Sequence, residues 1–161
     1  MANEQQIQTE LVQKFPFLAE KFVIKRERRI FCETAYDHFL EVFGHAVEKM
    51  DFKIFATVTG LDEGENLSFL YHLSRLDGTL LNIKTSVSKT NPVLKTVTGW
   101  FPGSALYERE LVDMFGAKVE GLPDGFRYPL PDSFPKDQHP LRKDWKPEML
   151  PEGAGSIMEE K

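Results

Sequence analysis

Leu67-Ser68-Phe69-Leu70-Tyr71-His72-Leu73 and Leu81-Asn82-Ile83-Lys84-Thr85-Ser86-Val87 decide how this chain folds. In the first, Leu67, Phe69, Tyr71 and Leu73 alternate with Ser68, Leu70 and His72; in the second, Leu81, Ile83, Thr85 and Val87 alternate with Asn82, Lys84 and Ser86. A period of two puts each set on a single face of a pleated strand, so both segments read as strands with one buried side. Asp77-Gly78 between them is a turn signal. Upstream, Lys53-Ile54-Phe55-Ala56-Thr57-Val58-Thr59 is rich in β-branched types, and the run Gly60-Leu61-Asp62-Glu63-Gly64-Glu65-Asn66 separates it from the pair. The three segments predict an antiparallel meander that needs a cover on one face.

The cover is legible just upstream of the meander. Over residues 36–50, Phe39, Leu40, Phe43, Val47 and Met50 keep a wide helical stripe whose aromatics read as core. Residues 28–33 read as a first strand, with Thr34 as the predicted N-cap of the helix. Nearer the N-terminus, Ile7, Leu11, Phe15 and Leu18 recur at helical spacing, and Pro16 breaks the run. These elements predict an α+β fold over residues 1–120, an antiparallel sheet of about four strands covered by helices. A chain of 161 residues is long enough for one such domain with a real core.

Composition narrows the function classes. A formal charge of -5 argues against a nucleic-acid partner. The local basic run of Lys21, Lys25, Arg26, Arg28 and Arg29 is diluted by Glu20 and Glu27 and reads as a solvated face. One cysteine, Cys32, excludes an intrachain disulfide and any cysteine-held iron–sulfur cluster or structural zinc built by this chain alone. Its place in an apolar alternation predicts a buried thiol. His38 and His45 lie two helical turns apart, outside metal-pair spacing, and His72 falls on the polar side of its strand. No glycine-rich phosphate loop, dinucleotide fingerprint or serine elbow is present. The start lacks a signal peptide's apolar centre, and no run of about 18 apolar residues occurs, so a soluble, cytoplasmic chain is expected, with any membrane association made through a partner.

Residues 89–103 lead into a charged helix, Tyr107-Glu108-Arg109-Glu110-Leu111-Val112-Asp113-Met114-Phe115-Gly116, with Ser104 as predicted N-cap and Gly116 as stop. Glu110 and Arg109 are each within helical reach of Asp113. Carboxylates beside an arginine can form a general acid/base site, here with His139 in a freestanding enzyme. A salt-bridged solvated face gives the same pattern, and that ordinary reading carries more weight for so short a run.

After Gly121 the chain changes character. Seven of its ten prolines, Pro123, Pro129, Pro131, Pro135, Pro140, Pro147 and Pro151, fall there and exclude helix and central strand. Leu122, Phe126, Tyr128, Leu130, Phe134, Leu141 and Trp145 are interspersed, too much apolar surface for a solvated linker. The segment 121–147 is therefore an extended proline-rich C-terminal arm that folds back on its own core or embraces a partner, and composition leaves both open. Residues 148–161 read as a flexible acidic tail.

Three motifs together resemble a known family: Glu108-Arg109-Glu110-x-x-Asp113-Met114-Phe115-Gly116, Glu120-Gly121-x-Pro123-Asp124, and His139-Pro140-Leu141-Arg142-Lys143-Asp144. They are similar to the signature of the 30 kDa subunit of respiratory NADH dehydrogenase (complex I). The same family supplies small subunits to membrane-bound nickel–iron hydrogenases. The resemblance covers residues 20–147 and includes Asn91-Pro92 and Trp100-Phe101-Pro102.

It implies a non-catalytic subunit of the peripheral arm at the cytoplasmic face of the membrane, supporting electron transfer from NADH to quinone. Such a subunit binds no cofactor itself; NAD, FMN, iron–sulfur clusters and quinone, or nickel–iron, belong to partner subunits. Its expected partners are the large 49 kDa-like, hydrogenase-large-subunit-like chain and a neighbouring iron–sulfur subunit. The resemblance assigns Glu108, Arg109, Glu110, Asp113, Phe115, His139, Pro140, Leu141, Arg142, Lys143 and Asp144 to the partner interface. Leu122 stands where the family usually has histidine, Val119 replaces a usual aromatic, and Phe126-Arg127-Tyr128-Pro129-Leu130 differs from the common two-arginine version. Dehydrogenase and hydrogenase therefore both remain open.

Overall fold

The computed structural model describes residues 3–151; most of the expected acidic tail, 152–161, lies outside the described residues. In chain order the elements are α1 (Glu4–Lys14), β1 (Phe22–Arg26), β2 (Arg29–Glu33), α2 (Tyr36–Lys49), β3 (Ile54–Asp62), β4 (Asn66–Ser74), β5 (Leu80–Ser88), β6 (Val93–Lys95), α3 (Ser104–Phe115) and β7 (Lys118–Glu120). The fold is mixed α+β, with the main sheet ordered β1-β2-β5-β4-β3 and a small second sheet of β6 and β7.

The meander forms as its alternation predicts. Val58 pairs with Tyr71 and Tyr71 with Ile83, so the apolar sets of β3, β4 and β5 share one face. That face is the core: Leu67, Phe69, Tyr71, Leu73, Leu81 and Ile83 are almost wholly buried. α2 lies on it, with Phe39 and Phe43 against Tyr71 at ring separations of 4.5 and 5.8 Å. α3 covers β3, with Tyr107 5.7 Å from Phe55 at one end and Phe115 beside Phe69 at the other. Gly60 lies beneath Phe115, and a Cβ there would collide with the ring. Phe15, at the C-terminal end of α1, meets His45 of α2 edge-on. The polar sides of the strands form the opposite face, where His72 is satisfied by Thr59 and Asn82.

The β6–β7 pair was not expected, and two features of the main sheet also differ from the sequence expectation. The sheet has five strands because Phe22–Arg26, whose charges read as a solvated basic face, is an edge strand that buries Phe22 and turns those charges outward. Its hairpin to β2 turns at Arg28, with φ 58° and no glycine to announce it, and the Glu4 carboxylate accepts the Arg28 amide at 2.6 Å. Second, the sheet is mostly rather than wholly antiparallel: β2 pairs parallel with β5, Cys32 opposite Ile83. α2 is the crossover that follows β2 on the core face, and it returns the chain to build the meander beside it.

Local caps also differ. Ala35, not Thr34, stands at the N-cap of α2, because the Thr34 amide is drawn into the sheet by Lys84 O. Gly103 precedes α3, and Ser104 is its first, buried residue. Gly116 does end the helix, at φ 68°, its N–H reaching Leu111 O and Val112 O.

Candidate functional site

α3 buries two of its carboxylates, Glu108 against the loop after β6 and Asp113 against the C-terminal segment. Glu108 is 1% exposed. Its Oε1 accepts the Val97 amide at 2.7 Å and its Oε2 accepts the Thr96 hydroxyl, so this acid fastens the loop after β6 to the helix. Burial pushes its carboxyl above the ordinary carboxylate range, opposed by those hydrogen bonds.

Asp113 lies toward the C-terminal segment, but not with the partner expected from helix spacing. Arg127 Nε donates to both its oxygens, at 2.9 and 3.1 Å, and the Leu130 amide donates at 3.2 Å. Arg109 instead donates to the carbonyls of Pro123 and Asp124, at 3.0 and 3.2 Å, with its guanidinium over the Phe126 ring. The helix therefore uses its charges to bind the segment that follows it. Glu110 is half-buried and makes no ion pair among the described residues.

The His139–Asp144 motif completes the attachment. A helix leaves its last carbonyls without intrahelical donors. Here His139 Nδ1 donates to Asp113 O at 2.9 Å, the Leu141 amide to Met114 O at 3.1 Å, and Arg142 Nε to Phe115 O at 2.7 Å. A backbone carbonyl only accepts, so this bond fixes the proton on Nδ1. The other edge of the imidazole lies against Gly116, where an added Cβ would meet Nε2 at 2.5 Å. Farther on, the Lys143 amide donates to the Asp62 carboxylate at 2.8 Å, and Lys89 bridges Asp62 and Asp144 at 2.8 and 2.9 Å. Burial tends to raise the Asp62 carboxyl, but bonds from Lys89 and from the Lys143 and Gly64 amides outweigh it and hold the group down at about 2.

Residues 122–150 thus bond to the domain at these points while part of the segment faces outward. Phe126 is 68% exposed, Met149 52%, Leu141 48% and Tyr128 37%. Between α3 and the segment runs an open groove of about 580 Å³, lined by Arg109, Asp113, Gly116, Pro123, Arg127 and His139. The expected site residues split accordingly. Glu108 and Phe115 are interior; Arg109, Asp113, His139, Arg142 and Asp144 hold the segment; Leu141 and Lys143 present exposed side chains, and Pro140 is half-buried. Residue reading missed Arg127, Asp62 and Lys89. Arg127, set among prolines after an acidic helix, was the one available signal.

Residues 32–149 match the model of the respiratory-chain NADH dehydrogenase 30 kDa subunit. The chain belongs to that family. Within it, the chain is 41% identical over 100 residues to the membrane-bound hydrogenase subunit beta of Pyrococcus furiosus, a match covering 58% of each chain. It is 33% identical over 113 residues to an NADH-quinone oxidoreductase subunit of Moorella thermoacetica, covering 68% of this chain and 75% of that one. A chain of the membrane-bound sulfane sulfur reductase, an archaeal respiratory membrane complex, has the same fold, with TM-score 0.76 and 24% identity over 88% of this chain and 85% of that one. The relatives thus include a subunit of a membrane-bound hydrogenase and a subunit of an NADH-quinone oxidoreductase. Among the described residues no helix is long and apolar enough to cross a membrane.

Proposed function

We propose that this chain is a non-catalytic subunit of the peripheral arm of a membrane-associated, complex I-type oxidoreductase. It packs on and stabilises the large 49 kDa-like subunit, next to an iron–sulfur subunit, at the cytoplasmic face of the membrane. NAD, FMN, iron–sulfur clusters and quinone are held by partners, and the chain supports electron transfer from NADH to quinone. One observation carries the reading: the signature residues of α3 and of His139–Asp144 bond to the chain's own backbone and side chains, building a fixed platform. From that platform Phe126, Tyr128, Leu141 and Met149 face outward. Aromatic and aliphatic side chains so presented suit the buried centre of a protein interface.

A freestanding acid/base enzyme fits poorly. Glu108 is sealed inside, Asp113 is paired with Arg127, and His139 Nδ1 is committed to the Asp113 carbonyl. The equivalent role in a membrane-bound nickel–iron hydrogenase is the second reading, favoured by the 41% identity to the Pyrococcus furiosus subunit. Affinity purification of the tagged chain from its own cells tests all three. Recovery with a large hydrogenase-like subunit, iron–sulfur subunits and membrane subunits is expected, and nickel in the preparation selects the hydrogenase. Recovery of the chain alone under gentle conditions overturns the assembly role.

A further inference from the structure

The main sheet has two edges, β1 and β3, and they are protected very differently. β1 has five residues, carries Lys25 and Arg26, and loses register between Ile24 and Arg26. Charge, brevity and irregularity are the usual means by which a sheet edge avoids pairing with another chain. β3 has nine residues and, from Ile54 to Leu61, contains neither a charge nor a proline. Its one irregularity, at Ala56, leaves Thr57 to Leu61 in regular register with β4. Among the described residues, no backbone hydrogen bond joins this stretch to anything but β4. Thr59 is exposed and Leu61 is 40% exposed.

The position of this edge points to what covers it. α3 runs above β3 from Tyr107 over Phe55 to Phe115 over Gly60, and the Lys143 amide is bonded to Asp62 just past the regular stretch. The unguarded edge thus borders, along its length, the surface built by α3 and the His139–Asp144 motif. We propose that Thr57–Leu61 is a pairing site at which an extended segment of a partner subunit joins the sheet as a sixth strand. The inference rests on the assembly role proposed above and specifies part of the contact. Main-chain bonds to the outward amides and carbonyls of β3 supply the attachment, and side-chain alternation supplies the selectivity.

The phase of β3 describes the partner. Val58 and Gly60 lie on the core face and Thr57, Thr59 and Leu61 on the open face. The added segment is therefore uncharged over about five residues. Its apolar side chains lie toward the helix layer, and its β-branched or hydroxyl side chains lie beside Thr57 and Thr59.

Site-resolved amide hydrogen exchange on the purified complex and on the isolated full chain provides the test. The alternate amides of Thr57–Leu61 that point away from β4 should exchange at least about tenfold more slowly in the complex. Those of β1 should not change. The double variant Ala56→Lys, Leu61→Lys should lower recovery of the complex about tenfold, with the unfolding midpoint of the isolated chain unaltered. A complex recovered with β3 exchange unchanged overturns the pairing while leaving the assembly role intact. Recovery of the chain without partners removes both. Slow exchange already present in an isolated chain of doubled mass assigns the edge to a second copy and overturns the proposal.

Discussion

α2 and the segment 121–150 lie on the same domain, but they are held to it differently. α2 turns Phe39, Val42, Phe43 and Val47 inward, and the first three are fully buried. Its attachment is apolar area, at about 25 cal/mol per Å² removed from water. The segment has no fully buried side chain; it is attached by Arg127 to Asp113, Arg109 to two carbonyls, and His139, Leu141 and Arg142 to the end of α3. A hydrogen bond contributes only about 0.5–1.5 kcal/mol net, somewhat more when one partner is charged, yet leaving its buried partner unsatisfied is costly. Burial makes a cooperative body. Directional bonds make a segment fixed in position that can open without unfolding that body.

The largest expected effect lies in the body. Phe43→Ala removes a ring that meets Phe39, Tyr71, Trp100 and Phe101, and should cost about 4 kcal/mol. Urea unfolding should show one transition shifted as a whole, with every strand of the main sheet affected together. A variant that loosens only α2 would remove the cooperative half of the contrast.

Asp113→Ala should do the opposite. It strips the carboxylate from Arg127 and the Leu130 amide, at about 2 kcal/mol. Amide exchange should accelerate over residues 122–139 while β3, β4 and β5 remain protected. If the main sheet loses protection equally, the segment is part of the cooperative unit.

The smallest effect is a divergence with pH. Glu108 has a raised folded pKa, so its contribution is complete below the ordinary value near 4.5 and is lost as pH rises through the raised one. Asp62 has a depressed one, so the tie it makes to Lys143 and Lys89 is complete above about 3.8 and is lost as pH falls through about 2. Acidification should therefore release the Lys143 amide to exchange while the body, through Glu108, gains. Glu108→Gln should flatten the body's response near and above pH 4.5 and leave the Lys143 transition unchanged.

How far the residues alone could be read follows the same division. The meander, α2 and the glycine stop of α3 were legible because each rests on periodicity or on one residue's backbone freedom. β1 was not, since Lys21, Lys25 and Arg26 around Val23 and Ile24 look solvated until β2 is known to pair with them. Helical spacing puts Arg109 within reach of Asp113, whereas the fold brings Arg127 to that carboxylate. The apolar residues after Gly121 called for a surface without saying which; Phe134 and Trp145 are half-buried, whereas Phe126 and Leu141 are exposed.

The sequence by itself determined the three strands of the meander, the helices, which of their faces are apolar, and that among the described residues no α-helix or strand follows Gly121; these are short-range properties of side-chain period and proline geometry. Only the tertiary structure decided that β2 joins β5 in parallel, that β3 is left as the unguarded edge, and that His139, Leu141 and Arg142 cap the carbonyls of α3. Those outcomes depend on where the chain path places groups far apart in sequence, and unsatisfied strand edges and helix ends accept any donor that the path brings within reach.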